Sequence, residues 1–217
     1  MFLETAKSIL LIVSALFPIV NPIGGSPVFL LLTQDYSKES RKLLARRVAI
    51  NSFILLIVSM VVGTHILSFF GISLPVVQVG GGLIVVSTGW AMLTRSDQVD
   101  RGQSQPAVTQ EDILRNAFYP LTLPLTVGPG SISIAITLGA NEPGHLRANP
   151  VALISAAIGA ALIAVTIYIC YGYSARLAAV GPSGMNVILR LSSFLLVCIG
   201  VQILWNGVSA LVKTLHG

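Results

Sequence analysis

Five long stretches of this chain contain no Asp, Glu, Lys or Arg: residues 8–34, 48–94, 116–141, 148–175 and 191–212. A helix that crosses a bilayer needs about 20 mostly apolar residues. The stretch 48–94 is long enough for two crossings, with a turn at Phe70-Gly71-Ile72-Ser73. The pattern therefore predicts six spans, at about 8–32, 48–69, 74–94, 113–139, 150–175 and 187–212. Within lipid a helix satisfies its own backbone polar groups. A spanning barrel would alternate polar and apolar residues, which these runs do not do. The expected fold class is an all-α membrane protein. Its expected organisation is a first three-helix repeat over 1–94, a connecting loop over 95–112 and a second three-helix repeat over 113–217.

Composition agrees with this reading. Hydrophobic residues make up 54% of the chain and charged residues 10%, against about 25% charged in soluble domains; mean hydropathy is +0.85. The net charge of +5 reads as membrane orientation rather than nucleic-acid binding. Lys38, Arg41, Lys42, Arg46, Arg47, Arg95, Arg101, Arg115, Arg176 and Arg190 fall in alternate loops, the other side having only Lys7, Arg147 and Lys213. The basic side is expected to be cytoplasmic, with both termini outside. Tyr171, Tyr173 and Trp90 sit near span ends, where interfacial aromatic belts form. The first apolar run continues to Pro18 with no clear small-residue cleavage site, so it reads as a span and not as a removable leader. The loop around Lys38–Arg47 suggests a short surface helix, and Thr109-Gln110-Glu111-Asp112 resembles a capping box opening the fourth helix. Cys170 and Cys198 lie inside apolar runs and read as small hydrophobes, not as a disulfide or metal pair. No metal or cofactor is expected.

The prolines carry the functional signal. Pro18, Pro22 and Pro27 recur as Pro120, Pro124 and Pro129, each 102 residues further on, and an aromatic (Phe17, Tyr119) precedes each first proline. Gly89 and Gly200 lie in similar settings in the third and sixth predicted spans. With an odd number of spans per half, the second half must cross in the opposite sense. This predicts an inverted repeat with helices one and four broken, the arrangement in which transporter sites are built. The first span holds about 37 Å of helix at 1.5 Å per residue, enough for one tilted crossing but not two. The plainer alternative, that the prolines are packing kinks, is weakened by their matched register.

Ser26-Pro27 and Gly128-Pro129 read as N-cap and first helical residue of new half-helices. Early amides there favour an anionic group. Carbonyls that lose a donor to proline favour a cation or ammonium. Asn21, Pro22, Gly24, Gly25, Ser26, Thr126, Val127, Gly128, Gly130 and Ser131 thus form the candidate substrate site. It offers donors and acceptors, little room and no fixed charge, which suits a small zwitterion such as glycine. Gly81, Gly82 and His65 are candidates for pathway lining or coupling. No span contains a carboxylate, so a buried acid is not expected to carry coupling; a proton or sodium remains the candidate coupling ion. Membrane lipid is the other expected partner, nucleic acid is not expected, and no oligomeric state follows.

Several stretches resemble the MarC family, which includes the SnatA-type neutral amino acid transporters. They are Val20-Asn21-Pro22-Ile23-Gly24, Pro27-Val28-Phe29, Phe70-Gly71-Ile72-Ser73, Gly81-Gly82-Leu83-Ile84-Val85, Pro120-Leu121 through Pro124, Gly128-Pro129-Gly130, Leu189-Arg190-Leu191 and Leu196 to Gln202. The resemblance implies a six-span inner-membrane protein of two inverted repeats, with a site at the unwound parts of spans one and four and transport of glycine, alanine or related amino acids. Within the repeat, Asn21 is matched by Leu123, so the two half-sites are unequal. An enzyme is disfavoured by scattered histidines and spans without aspartate. A water-type channel would carry Asn in both half-sites. A small-solute channel or a drug or metabolite efflux protein is the alternative function.

Overall fold

The computed structural model describes residues 2–33, 36–94, 116–141, 149–177 and 181–215, and every element among them is helical. The order is α1 (Phe2–Val20), α2 (Pro22–Leu32), α3 (Lys38–Phe69), α4 (Leu74–Thr94), α5 (Ala117–Thr126), α6 (Pro129–Asn141), α7 (Pro150–Gly172), α8 (Ser174–Leu177) and α9 (Pro182–Leu215). Five segments are long and apolar enough to cross a membrane: Glu4–Leu32, Lys38–Phe69, Leu74–Thr94, Pro150–Gly172 and Asn186–Thr214. A sixth results if α5 and α6, bent by 71° at their junction, make one crossing.

Local chemistry sets the ends. Ser37 is extended and its hydroxyl accepts from Ser40 N at 3.1 Å, capping α3. Asn149 does the same for α7, accepting from Val151 N, with Pro150 as first helical residue. At the other end of α3 the chain turns through Gly71, whose φ of +67° favours glycine. Ile72 N there donates to Leu67 O at 2.9 Å and Gly71 N to Ser68 O at 3.1 Å, the paired bonds of a Schellman stop. The turn expected at 70–73 is thus formed.

Lys38–Arg47 does not make a separate surface helix. It is the first part of α3, because Leu44, Ala45, Val48 and Ala49 continue the buried stripe while Arg46 and Arg47 stay exposed. Tyr171 is not an interfacial residue either: it is fully buried. Tyr173 and Trp90 are exposed, and Arg176 lies 5.2 Å from the Tyr173 ring centroid. Cys170 is half-buried and Cys198 exposed, both as free thiols. Arg95, Arg101, Arg115, Arg147 and the Thr109–Asp112 box lie outside the described residues.

At the centre α3 packs on α7; α1 and α2 lie against α7, and α5 and α6 against α3. Leu16, Phe29, Leu56, Met60, Ile163 and Ile167 fill this core. Leu83, Trp90, Ile154, Val187 and Trp205 point outward, as the outer face of a bundle in lipid does. The longest seam joins α4 to α9. A Cβ on Gly82 would stand 2.6 Å from Leu204 N and 2.8 Å from Gly200 O; one on Gly200 would stand 2.7 Å from Val86 N. Gly89 lies against Ser193 and Gly207 against Pro75, so the two helices run antiparallel. Without a hydrophobic drive between helices in lipid, small residues that let backbones approach carry such contacts.

Candidate functional site

The first interruption is one residue long. Asn21 takes the left-handed conformation (φ 47°, ψ 56°), and its Oδ1 accepts from Gly24 N at 3.2 Å. Asn is among the few side chains that enter this region readily. Pro22 then opens α2, where its missing N–H costs little. Asn21 N still donates to Phe17 O, and Gly25 N to Asn21 O, both at 2.9 Å. The cap is therefore Asn21-Pro22, not Ser26-Pro27. Asn can reach its own helix start in the left-handed conformation, whereas Pro27 is absorbed inside α2, lacking only the donor for Ile23 O. Ser26 is buried and its hydroxyl has no hydrogen-bond partner. The far end of α2 is held by Arg41, whose guanidinium donates to Thr33 Oγ1 at 3.2 Å and Thr33 O at 2.8 Å.

The second interruption is wide. Over α5 the turn opens to five residues, with Val127 N donating to Thr122 O at 2.8 Å, and Tyr119 and Leu123 are extended. The segment repeats Pro-Leu-Thr at 120–122 and 124–126. Each threonine hydroxyl donates to the carbonyl five residues back: Thr122 to Ala117 O and Thr126 to Leu121 O, both at 2.6 Å. Proline removes main-chain donors from this stretch, and the hydroxyls supply donors within it. The helix restarts at Pro129, after Gly128, as the sequence predicts, and Ile132 N donates to Gly128 O at 3.1 Å.

Tyr171, from α7, joins the two interruptions. Its hydroxyl lies 2.9 Å from Thr126 Oγ1, and a Cβ on Gly25 would stand 2.6 Å from the same oxygen. Its ring stacks on Phe29, with centroids 4.5 Å apart and planes 18° from parallel. The sequence marks this residue only as a span-end aromatic, not as part of the site. Tyr171 continues the buried stripe Gly159, Ile163, Ile167 of α7 at four-residue spacing, so periodicity places it on the inner face; that α2 and α5 meet there is what periodicity does not show.

The remaining predicted residues divide by location. Pro22, Gly24, Gly25, Thr126, Val127, Gly130 and Ser131 are buried, and Asn21 and Gly128 are half-buried. A Cβ on Gly130 would run into Val85 of α4, and one on Gly81 would meet Ser133 Oγ of α6 at 2.6 Å. Gly81 therefore sits on the α4–α6 contact and Gly82 on the α4–α9 seam. His65 is exposed near the end of α3, with Nδ1 3.4 Å from Thr64 Oγ1.

Comparison with known proteins agrees with this architecture. The family described as MarC family integral membrane protein matches residues 6–212. The UPF0056 inner membrane protein MarC of Salmonella typhimurium (strain LT2) is 32% identical over 221 residues, covering 99% of this chain and 100% of the relative. Its counterpart in Escherichia coli (strain UTI89 / UPEC) is 31% identical over 220 residues with the same coverage. No solved structure matches the chain.

Proposed function

The chain belongs to the MarC family of integral membrane proteins, and we propose that it transports small neutral amino acids of the glycine, alanine and serine class by alternating access. The substrate is held by the unwound main chain of spans one and four. One observation carries the reading: two proline-interrupted segments from different halves of the chain converge on a single buried hydroxyl, Tyr171 Oη. The two interruptions contribute main-chain groups, threonine and serine hydroxyls and one asparagine amide, and neither contains a charged side chain. Such a lining suits a net-neutral zwitterion, whose carboxylate takes N–H and O–H donors and whose ammonium takes carbonyls.

The proposal includes an inverted repeat, and the packing supports it. α1 and α2 lie on α7 as α5 and α6 lie on α3, and α2 meets α9 as α6 meets α4. In the antiparallel α4–α9 seam, the Gly82–Gly200 approach has its counterpart in Gly89–Ser193. Two halves related in this way give two exchangeable arrangements around one site, the basis of alternating access. We place the protein in the inner membrane with both termini outside, coupled to a proton or to sodium.

The test is binding followed by counterflow. Purified protein should gain thermal stability with glycine, alanine or serine, since a ligand bound only to the native state raises apparent stability. Proteoliposomes preloaded with that amino acid should take up label faster than empty ones. No stabilisation by any of the three refutes the substrate class; uptake indifferent to preloading indicates a channel.

A further inference from the structure

Tyr171 lies in the sequence Ile169-Cys170-Tyr171-Gly172, among apolar residues and away from every proline motif. Yet it is the largest fully buried side chain among the described residues. Resting on the transport reading above, we propose that the Tyr171 hydroxyl oxygen accepts the substrate's ammonium, and so distinguishes an amino acid from the matching hydroxy acid.

The direction of the hydrogen-bond chain leads to this assignment. Thr126 Oγ1 lies 2.6 Å from Leu121 O and 2.9 Å from Tyr171 Oη. A carbonyl only accepts, so the single Thr126 proton points to Leu121 O. Thr126 must then accept from Tyr171, whose own proton is committed in turn. The tyrosine oxygen keeps its acceptor capacity, and among the described residues no other hydrogen bond reaches it. The ring cannot readily swing away, because it is sealed on all sides and stacked on Phe29.

This acceptor rests against Gly25 of α2. Ser26 Oγ is buried with no partner, and a buried hydroxyl without a hydrogen bond is costly. The acceptor beside Gly25 suits the ammonium, and the unused Ser26 hydroxyl is a second unsatisfied polar group on the same helix. A hydrogen bond to an ionised donor is roughly twice as strong as one between neutral groups, so replacing the ammonium by a hydroxyl weakens the contact. Tyr171 has 0% exposure. The ligand therefore reaches it only when α2 and α5 part, as alternating access requires.

The experiment compares alanine with lactate, in which a hydroxyl replaces the ammonium, on purified full-length protein. Wild type should bind alanine more tightly. Tyr171→Phe keeps the ring and its stacking, so alanine should weaken by about tenfold or more while lactate changes by no more than about twofold. Thr126→Val is the second variant: it frees the tyrosine proton to point at the ligand, and it too should lower the alanine-to-lactate ratio, whereas Thr126→Ser should preserve it. Equal loss of both ligands in Tyr171→Phe, or an unchanged ratio in both Tyr171→Phe and Thr126→Val, overturns the assignment and leaves the transport reading standing. If wild type binds none of glycine, alanine and serine, the transport reading fails and the assignment with it.

Discussion

Asn21 and Leu123 occupy the same place relative to their flanking prolines, yet the chain bends differently at each. Asn21 is left-handed and caps its own helix within one turn. Leu123 is extended (φ −118°, ψ 123°) inside a ten-residue widened segment that leads into a 71° bend. The left-handed region costs an ordinary L-residue about 1–2 kcal/mol, so leucine takes the extended basin and the turn must open. The first break uses its own side chain to occupy an amide; the second relies on two threonines for its carbonyls. Proline alone does not fix an interruption, since Pro18 and Pro27 lie inside helices; the residues around each proline decide whether the helix breaks and how widely.

The comparison breaks most sharply at the glycines. Gly25→Val forces a side chain against the sealed Tyr171 hydroxyl, and binding and uptake should be lost in protein that still inserts. Gly128 is looser, since a Cβ there would meet only Pro124 O at 3.1 Å; Gly128→Val should keep affinity within about tenfold, since overpacking at the mild end costs about 1 kcal/mol. Equal loss in the two variants, measured by ligand binding after detergent extraction, contradicts the inequality of the breaks.

The threonines come next. Thr126→Val removes the donor to Leu121 O and the acceptor for Tyr171, and should destabilise the protein by about 2–3 kcal/mol. Thr122→Val removes one donor and should cost about 1–2 kcal/mol. Equilibrium unfolding in mixed micelles ranks them; the reverse order means that the Tyr171 link adds nothing to stability.

Asn21 separates backbone from side chain. Asn21→Ala must hold the left-handed conformation without the cap and should cost about 2 kcal/mol. Asn21→Gly fits that conformation and should cost well under half as much. Ligand affinity should fall more in Asn21→Ala than in Ser131→Ala. The smallest effect is expected at Arg41, which anchors α2 far from the breaks: Arg41→Gln should cost about 1 kcal/mol and leave alanine affinity unchanged within twofold. A large affinity loss there means that the end of α2 moves with the site.

Much of this architecture was legible in the chain. Uncharged runs of about 20 residues locate the crossings, because burying a charge in lipid is expensive. The start of α6 follows from Gly128-Pro129, and the stop after α3 from Phe70-Gly71, since both depend on conformational limits of single residues. The choice between Asn21-Pro22 and Ser26-Pro27 was less legible. Both pairs fit a helix start locally, and the outcome turned on which one could reach a free amide.

What the sequence determined by itself is the set of positions where backbone hydrogen bonding must fail, because proline lacks an N–H wherever the chain is placed. What only the tertiary structure decided is which of those failures meet and what lies between them. Tyr171 is one aromatic at the end of the α7 stripe until Gly25 of α2 and Thr126 of α5 meet at its hydroxyl. The burial of its hydroxyl, its bond to Thr126 and its contact with Gly25 arise from long-range packing, which no local pattern encodes.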